Sequence, residues 1–383
     1  MKKLNVLIGV TGSIAIYKTC ELIRLFVKRG DNVRVVMTKA ASKFISPLTF
    51  ETLTRQKVLI EENEDWSSEL NHIDYAKWAD IFIIAPATAN TLNKAFHGIA
   101  DNLLLQTYLA TTAPVLFAPS ANTNMYLHPT TQKAIKNLNC IEANTGLLAC
   151  GDEGIGKMAE PNEIFLRALR EVFKDEFWEN KKVVITAGGS IEKIDDVRYV
   201  SNFSTGKMGE ALAKAFYIKG ANVVLISSKE HDLSKEIPQI KAQSAQDFYE
   251  RIKEQNPDYL IMAAAIADFK PKYTPGKLKK DKIGEKMVLE MEKNIDVLES
   301  LKNEKFIRIG FKAERDEKNA LKYAKNALKK KNLDAICLNL LTKNDFGSDE
   351  NEIIFITKNQ EIKIPQDTKE NIALKLTDAI KSL

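Results

Sequence analysis

Cysteine and histidine are scarce in this chain, four of each in 383 residues. Cys20, Cys140, Cys150 and Cys337 are too few and too scattered for a disulfide framework. No C-x-x-C or paired-His spacing marks a zinc site, so a reducing cytoplasm is the compartment that fits. No apolar run reaches the ~18–20 residues of a membrane span. The N-terminal MKKLNVLIGVTGSIAIYK imitates a secretory leader, but Asn5 and the polar Thr11–Ser13 interrupt it, and it reads as a first strand and turn. Charge of one sign is also lacking: 56 basic and 51 acidic residues leave a net +5. Such interspersed charges are solvated faces, and with no RNA-binding aromatic motif neither a nucleic-acid nor a membrane partner is expected. Finally, the G-x-G-x-x-G fingerprint is missing. The first turn is Gly9-Val-Thr-Gly12-Ser-Ile-Ala15, and the second strand ends in Thr38-Lys39 rather than an acid, which counts against an NAD-dependent oxidoreductase.

What is present comes twice. Residues 4–15 (LNVLIGVTGSIA) and 181–192 (KKVVITAGGSIE) each run an apolar strand into a Gly/Ser turn. Each is followed by a helix-like stretch, a Gly and a second apolar run, LIRLFVKRGDNVRVVMT and ALAKAFYIKGANVVLIS, then a third, ADIFIIAPATAN and PDYLIMAAAIAD. A strand–Gly-turn–helix unit offers backbone N–H groups and the positive end of a helix dipole to an anion. Two copies imply two phosphate or nucleotide sites.

Alternating apolar strands and amphipathic helices predict two α/β domains, each with a doubly wound, mostly parallel sheet of flavodoxin or Rossmann type. The charged KDEFWENKK (174–182) marks the boundary, giving domains 1–178 and 179–383. Strands are expected near 4–10, 32–38, 80–85 and 114–118, with a short one near 140. In the second half they are expected near 183–187, 222–227, 258–264, 306–311, 334–338 and 352–357. The Gly-rich 144–160 reads as a loop and 161–178 as a helix. Residues 270–286, rich in Lys with two Pro and two Gly, read as a loop or hairpin arm over a site. Residues 316–331 and 367–382 read as helices.

In a doubly wound sheet, ligands bind outside the carboxyl ends of the strands. The third strand ends in Pro86-Ala-Thr-Ala-Asn-Thr91, so Thr88, Asn90 and Thr91 share a crevice with Ser13 and Thr38. A Gly-Ser turn at a helix start suits a single phosphate, although a plain βα turn looks the same. The PATANT of 86–91 resembles the PASANT motif of the flavin-containing cysteine decarboxylases. PSANTNMY (119–126) resembles their P-x-M-N-x-x-M-W motif, with Ala121 in place of Met and Tyr126 in place of Trp. A lone His is more often surface or core, but His72 opens HIDYAKWAD, similar to the H-I-x-x-A-K-W-A-D segment that carries that family's catalytic His. Cys150 lies in a Gly-rich loop, ACGDEGIGKM, where a lid-borne acid would be placed. The resemblance implies FMN held by Gly12, Ser13, Ile14, Thr38, Thr88, Ala89, Asn90 and Thr91. It makes the loop a flap with Cys150 as proton donor, gives Asn122 the substrate carboxylate, and makes His72 a base or positioning group. The implied chemistry is decarboxylation through transient thiol oxidation by FMN, with no net redox change.

In the second half, Gly206-Lys207 looks like part of a P-loop, but Ser201 stands where a Gly is required and Met208 replaces Ser/Thr. Ser204 and Thr205 before a helix suit either N-capping or an anion. Residues 198–209 resemble the R-Y-I-S-N-x-S-S-G-x-M-G motif of the phosphopantothenate–cysteine ligases, which gives Asn202 the acyl-nucleotide intermediate. Ala263-Ala264-Ala-Ile-Ala-Asp268 resembles A-A-V-A-D of that family. Gly276-Lys-Leu-Lys-Lys280 reads by default as a solvated Lys cluster; it is similar to a K-x-K-K motif whose first member matches Lys277. Asn294-Ile295-Asp296-Val297, followed by Leu298, is similar to an N-P-D-I turn with Ile295 in place of Pro. Gly310-Phe311-Lys-Ala-Glu314 matches G-F-x-x-E, where the Phe packs on cytosine, and Lys331 matches a basic nucleotide contact. A second basic contact falls on Ala327, unless Lys325 or Lys329 replaces it.

Across its whole length the chain resembles the family in which phosphopantothenoylcysteine decarboxylase is fused to phosphopantothenate–cysteine ligase. That implies that 4′-phosphopantothenate and cysteine are joined through an acyl cytidylate made from CTP, and that the product, 4′-phosphopantothenoylcysteine, is then decarboxylated. Mg2+ is implied mainly through the CTP phosphates, with Asp268 as a further candidate. Homo-oligomers are implied too, trimers of FMN domains with the flavin between subunits and dimers of ligase domains. The alternative is a flavin-binding regulatory or scaffold protein without decarboxylase activity; it predicts loss of His72, Cys150 or Asn122, and all three are present.

Overall fold

The computed structural model describes residues 1–279, 285–342 and 347–383. Lys280 of the expected basic arm lies outside the described residues. The chain forms two compact units, Met1–Phe173 and Lys174–Leu383.

In the first unit, β1 (Asn5–Val10), β2 (Asn32–Met37), β3 (Val58–Leu59), β4 (Ile81–Ala87) and β5 (Val115–Pro119) form one sheet in the order β3-β2-β1-β4-β5. Every pairing is parallel. A parallel sheet is covered on both faces, which is why these strands are near-continuous apolar runs; Val6, Leu7, Ile8 and Ile81–Ile84 are completely buried. The crossover helix Ile16–Arg29 buries Ile16, Leu22, Ile23 and Phe26. From β1 the chain steps outward to β3, then returns to the other side of β1. That reversal opens a crevice at the carboxyl ends of β1 and β4. Thr11 stitches it, its hydroxyl donating to the Pro86 carbonyl at 2.7 Å and accepting from Thr88 N at 3.1 Å.

The expected strand near 140 is a single bridge from Cys140 to Phe117. The segment expected as a loop at 144–160 contains an antiparallel hairpin, β6 (Asn144–Leu147) and β7 (Glu153–Lys157). Its glycines give a loop-like composition because they are needed for close approach. A Cβ at Gly154 would lie 2.3 Å from Thr123 Oγ1, and one at Gly156 would lie 2.2 Å from the Ala121 carbonyl oxygen. The following helix is Pro161–Phe173, short of the expected 178.

The second unit begins with β8 (Lys182–Ala187), β9 (Ile191–Lys193), β10 (Tyr199–Ser201), β11 (Asn222–Ser227), β12 (Gln239–Lys241) and β13 (Tyr259–Met262). It continues with β14 (Phe269–Pro271), β15 (Met291–Lys293), β16 (Ile307–Glu314), β17 (Ala335–Leu340), β18 (Glu350–Thr357) and β19 (Glu361–Thr368). Eight of these make a sheet in the order β12-β11-β8-β13-β16-β17-β18-β19. It is parallel through β17 and antiparallel at β18 and β19. The order reverses between β8 and β13, as it does between β1 and β4. The C-terminal helix starts at Lys369 rather than 367, after a strand that was not expected. In β19 only Ile364 is buried and Pro365 interrupts the run, as an edge strand permits, so no alternation announces it.

Residues 270–286 do form an arm at their roots, where β14 pairs with β15. Asp195 and Asp196 pin its described part: Leu278 N donates to Asp195 at 3.1 Å, and Gly276 N donates to Asp196 at 3.0 Å. Hydrogen bonds from the Arg198 guanidinium hold the Asp195 carboxyl well below the usual range.

The helix Lys207–Ile218 touches the sheet at Gly209, where a Cβ would stand 2.6 Å from Ala187 Cβ and 2.9 Å from the Thr186 carbonyl oxygen. Beneath it, the His231 side chain, itself buried, bridges strand and helix, with Nε2 2.9 Å from Ser227 Oγ and Nδ1 3.0 Å from Glu210 Oε2. Burial alone would raise the Glu210 carboxyl; the hydrogen bonds from His231 and Lys214 outweigh it and bring it down to about 2.

Two outcomes follow from this helix seat. Gly209→Ala should overpack the contact and destabilise the second unit by about 1–3 kcal/mol in denaturant unfolding. Because Glu210 titrates lower folded than unfolded, its contribution is present above pH ~4.5 and is lost as pH falls toward 2. Glu210→Gln should therefore cost on the order of 1–3 kcal/mol at pH 7, and calorimetry at pH 3 should show that difference reduced to less than half.

Candidate functional site

Each unit has a cavity at the carboxyl ends of its parallel strands. In the first, about 410 Å³ is enclosed by Ser13–Ala15, Tyr17, Lys18, Ser120–Asn122, Leu147–Cys150 and Gly156–Met158. The hairpin brings its far wall into place: Ala121 N donates to the Gly156 carbonyl at 3.0 Å, which seats the turn of the hairpin over Asn122. As a result Asn122 Nδ2 lies 3.4 Å from Cys150 Sγ, and the Cys150 thiol donates to Asp152 Oδ2 at 3.3 Å. Asn122 also caps the helix Thr123–Leu127, its Oδ1 2.9 Å from Asn124 N, so its rotamer is held. Cys150 is exposed, whereas burial pushes Cys140 up to about 12 and also raises Cys337, as expected of inert core thiols.

Of the residues expected at the cofactor, Ser13 and Ile14 line this cavity, whereas Gly12, Thr38, Thr88, Ala89, Asn90 and Thr91 lie outside its lining. Ser13 Oγ is 2.8 Å from Ser120 Oγ, and Ala15 leaves the start of helix Ile16–Arg29 without a side-chain cap. Ile14 is more than half exposed beside it. Thr38 receives Ala41 N at 3.3 Å, and Thr88 caps the helix Ala89–Phe96, accepting from Thr91 N at 3.3 Å. Ala89 and Thr91 are buried in that first turn, and Asn90 is exposed. Hydroxyls, an uncapped helix start and an apolar rim suit a flavin mononucleotide: phosphate at the turn, ring system against the apolar wall.

His72 stands apart. It opens the helix His72–Trp78 and shares a 2.6 Å contact between Nδ1 and Glu64 Oε1, with the Trp66 ring edge-on at 5.3 Å. It is not among the residues lining the cavity of its own chain. The sequence reading missed Lys18, which lines that cavity and is nearly buried. Its ammonium is held by Glu160 Oε1 at 2.7 Å and the Met158 carbonyl at 3.3 Å, where the hairpin ends. Its position four residues before the core Leu22 was the available sign.

The second cavity encloses about 160 Å³ between Ser204–Gly209, Ala263–Ala265, Phe311–Ala313, Asn339, Gly347, Glu350, Asn351 and Lys369. Thr186 Oγ1 receives Ala264 N at 3.1 Å, and Gly188 O receives Ala265 N at 2.8 Å, fixing the small-residue wall. Asn202 Nδ2 donates to the Ala265 carbonyl at 3.1 Å, at the edge of the same wall. Ala263, Ala264 and Phe311 thus fall together as the motifs suggested.

The other expected contacts do not reach this cavity. Asp268 and Lys277 are exposed outside its lining. Lys331 pairs with Asp296 at 2.8 Å, and Asp296 caps the helix Val297–Ser300. Val297 and Leu298 are core residues, and Ile295 packs against that core, so their side chains are spent on packing. Lys312, Asn339 and Lys369 line the cavity without having been singled out, and Lys207 lines it although the P-loop pattern around it was broken. Lys369 lay inside an expected helix with nothing in its neighbourhood to mark it. Among the described residues no group of His, Cys, Asp and Glu could hold a metal ion, and no helix is long and apolar enough to cross a membrane.

Two family models match the chain. The Flavoprotein family model matches residues 1–172, and that of the DNA/pantothenate metabolism flavoprotein C-terminal domain matches residues 178–383. The chain is 41% identical to the coenzyme A biosynthesis bifunctional protein of Bacillus subtilis, over 99% of this chain and 97% of that protein. It is 38% identical to the one of Borreliella burgdorferi, over 97% of both. A solved C-terminal domain of such a bifunctional protein is 32% identical and covers 54% of this chain and 97% of its own, with a TM-score of 0.46. The chain belongs to the family of the coenzyme A biosynthesis bifunctional proteins.

Proposed function

We propose that the second unit joins 4′-phosphopantothenate to cysteine at the expense of CTP, and that the first unit decarboxylates the product to 4′-phosphopantetheine. The observation that carries the decarboxylase reading is the approach of Asn122 Nδ2 to Cys150 Sγ, 3.4 Å, in a cavity bordered by Ser13–Ala15.

FMN, when bound, supplies a reversible two-electron sink. The chain's own residues do the rest. The Asn122 amide holds the substrate carboxylate, its own rotamer locked by the helix cap. The Cys150 thiol, donating to Asp152, carries the proton that the product must receive on carbon. Gly12, Ser13, Ile14 and Thr38, with Thr88, Ala89, Asn90 and Thr91 at the end of the neighbouring strand, would hold the cofactor. Glu64 orients the His72 ring through Nδ1, which leaves Nε2 for the reacting centre. Since His72 does not line its own cavity, the reading requires an assembly that places the flavin between copies; the family resemblance makes these trimers of this unit, with dimers of the other.

In the ligase, the acyl carboxylate attacks the α-phosphorus of CTP and pyrophosphate leaves. The cysteine amine then attacks the acyl cytidylate and CMP leaves. The uncapped start of helix Lys207–Ile218 and nearby cations offset charge on the phosphates. Asn202 holds the acyl cytidylate, Phe311 faces the base, and Lys277, Lys331, Asp296 and Asp268 act where the arm and adjoining loops close on the nucleotide. Mg2+ enters with the CTP phosphates. A cytoplasmic setting fits the four free cysteines.

Incubation of the full chain with phosphopantothenate, cysteine, CTP and Mg2+ should release CMP and CO2 in equal amounts; if neither forms, the reading fails. Cys150→Ser should make CMP normally and stop at the oxidised, decarboxylated enethiol; normal turnover to phosphopantetheine would remove Cys150 from its role. Asn202→Asp should slow CMP formation by about tenfold or more while leaving decarboxylation of supplied phosphopantothenoylcysteine unchanged.

A further inference from the structure

The second cavity holds an uncommon arrangement of positive charge. Two helices that pack against each other, Lys207–Ile218 and Lys369–Ile380, both start at its wall, and both have Lys as the first helical residue. A cation at a helix N-terminus opposes the macrodipole, an effect that first-turn Glu210 and Glu370 and the Thr368 cap of the second helix offset in part. Gly206 gives the first helix no side-chain cap.

The three lysines of the cavity wall differ in how their charge is answered. Lys207 is ion-paired with Asp349 at 2.6 Å and also donates to the Gly347 carbonyl at 3.0 Å. Lys312 pairs with Glu314 at 2.9 Å. The Lys369 ammonium donates to the Ser348 carbonyl, and among the described residues no carboxylate lies within ion-pair distance of it. Yet Lys369 is only 9% exposed. Burial, and after it the neighbouring Lys207, depress its pKa from the ordinary lysine value, against smaller upward pulls from Asp349 and Glu370. An ammonium taken this far out of water, with its carboxylates beyond ion-pair distance, is unfavourable. An anion entering the cavity would relieve both effects.

We propose that Lys369 is a binding residue for the phosphate chain of the nucleotide, the cation that this cavity reserves for its ligand. The cavity is small against the roughly 300–1,000 Å³ of common ligand pockets, which suits a phosphate chain better than a whole nucleotide. This assignment rests on the ligase reading and adds to it a residue from the C-terminal helix, more than a hundred positions beyond the Ser204–Gly209 turn it would work with.

The test uses the full chain and two variants, Lys369→Met, which keeps the apolar stem, and Lys369→Arg, which keeps the charge. Titration calorimetry with inorganic pyrophosphate and with CTP should show about 10- to 100-fold weaker binding for Lys369→Met, with partial recovery in Lys369→Arg. The KM for CTP should rise while that for phosphopantothenate and the decarboxylase rate stay unchanged. Pyrophosphate affinity within twofold of the unmodified chain would overturn the proposal. So would a rise confined to the KM for phosphopantothenate, which would give the ammonium to the other substrate. Failure of the ligase reading would show separately, as absence of CMP formation by the unmodified chain, whereas the pyrophosphate comparison reads Lys369 directly.

Discussion

Both halves of the molecule depend on one constraint, the reversal of strand order beside the first strand of each sheet. A parallel sheet aligns the carboxyl ends of all its strands, and where successive connections run to opposite sides, nothing fills the gap between the two central strand ends. In the first unit the gap lies between β1 and β4, and Thr11 spans it to Pro86 and Thr88. In the second it lies between β8 and β13, spanned by the Gly188–Ala265 and Ser190–Ala265 hydrogen bonds. Each gap has a helix start beside it, so an anion-binding position comes with the topology. The chemistry is added by what is laid over it.

The additions differ in kind. Over the first gap the chain lays a two-stranded flap whose glycines lie directly on Ala121 and Thr123, which carries a thiol to an amide. Over the second it lays wall residues without bulk and a set of lysines, most of them already paired. One cavity sets an amide beside a thiol, and the other sets lysines beside a helix start. Ligation makes the molecule that decarboxylation consumes, which gives physical sense to their covalent union.

Much of this was legible in the sequence, and the rest was hidden for identifiable reasons. The doubled strand–turn–helix openings are visible because buried parallel strands are apolar without interruption, and both sheets are mostly parallel, as expected. Three-residue strands such as β9, β12 and β14 are too short for any periodicity, and β19 is an exposed edge with a single buried side chain. The hairpin was concealed by the glycines that let it pack closely. At the sites, Asn122 and Cys150 come together, as do Ala263, Ala264 and Phe311. Val297 and Leu298, expected at the nucleotide, are core side chains, because a motif fixes position along the chain and not which way a side chain points. Lys18 and Lys369 escaped notice because a buried lysine looks, in sequence, like any other lysine.

The central claim is that one scaffold, used twice, makes two independent sites joined only by the intermediate passed between them. The most direct measurement mixes two inactivated full chains, Cys150→Ser and Asn202→Asp, with phosphopantothenate, cysteine, CTP and Mg2+, and follows 4′-phosphopantetheine. Each alone should give little or none, and the mixture should restore its formation, because the first still makes phosphopantothenoylcysteine and the second still decarboxylates it. A mixture as inactive as its components would contradict the account.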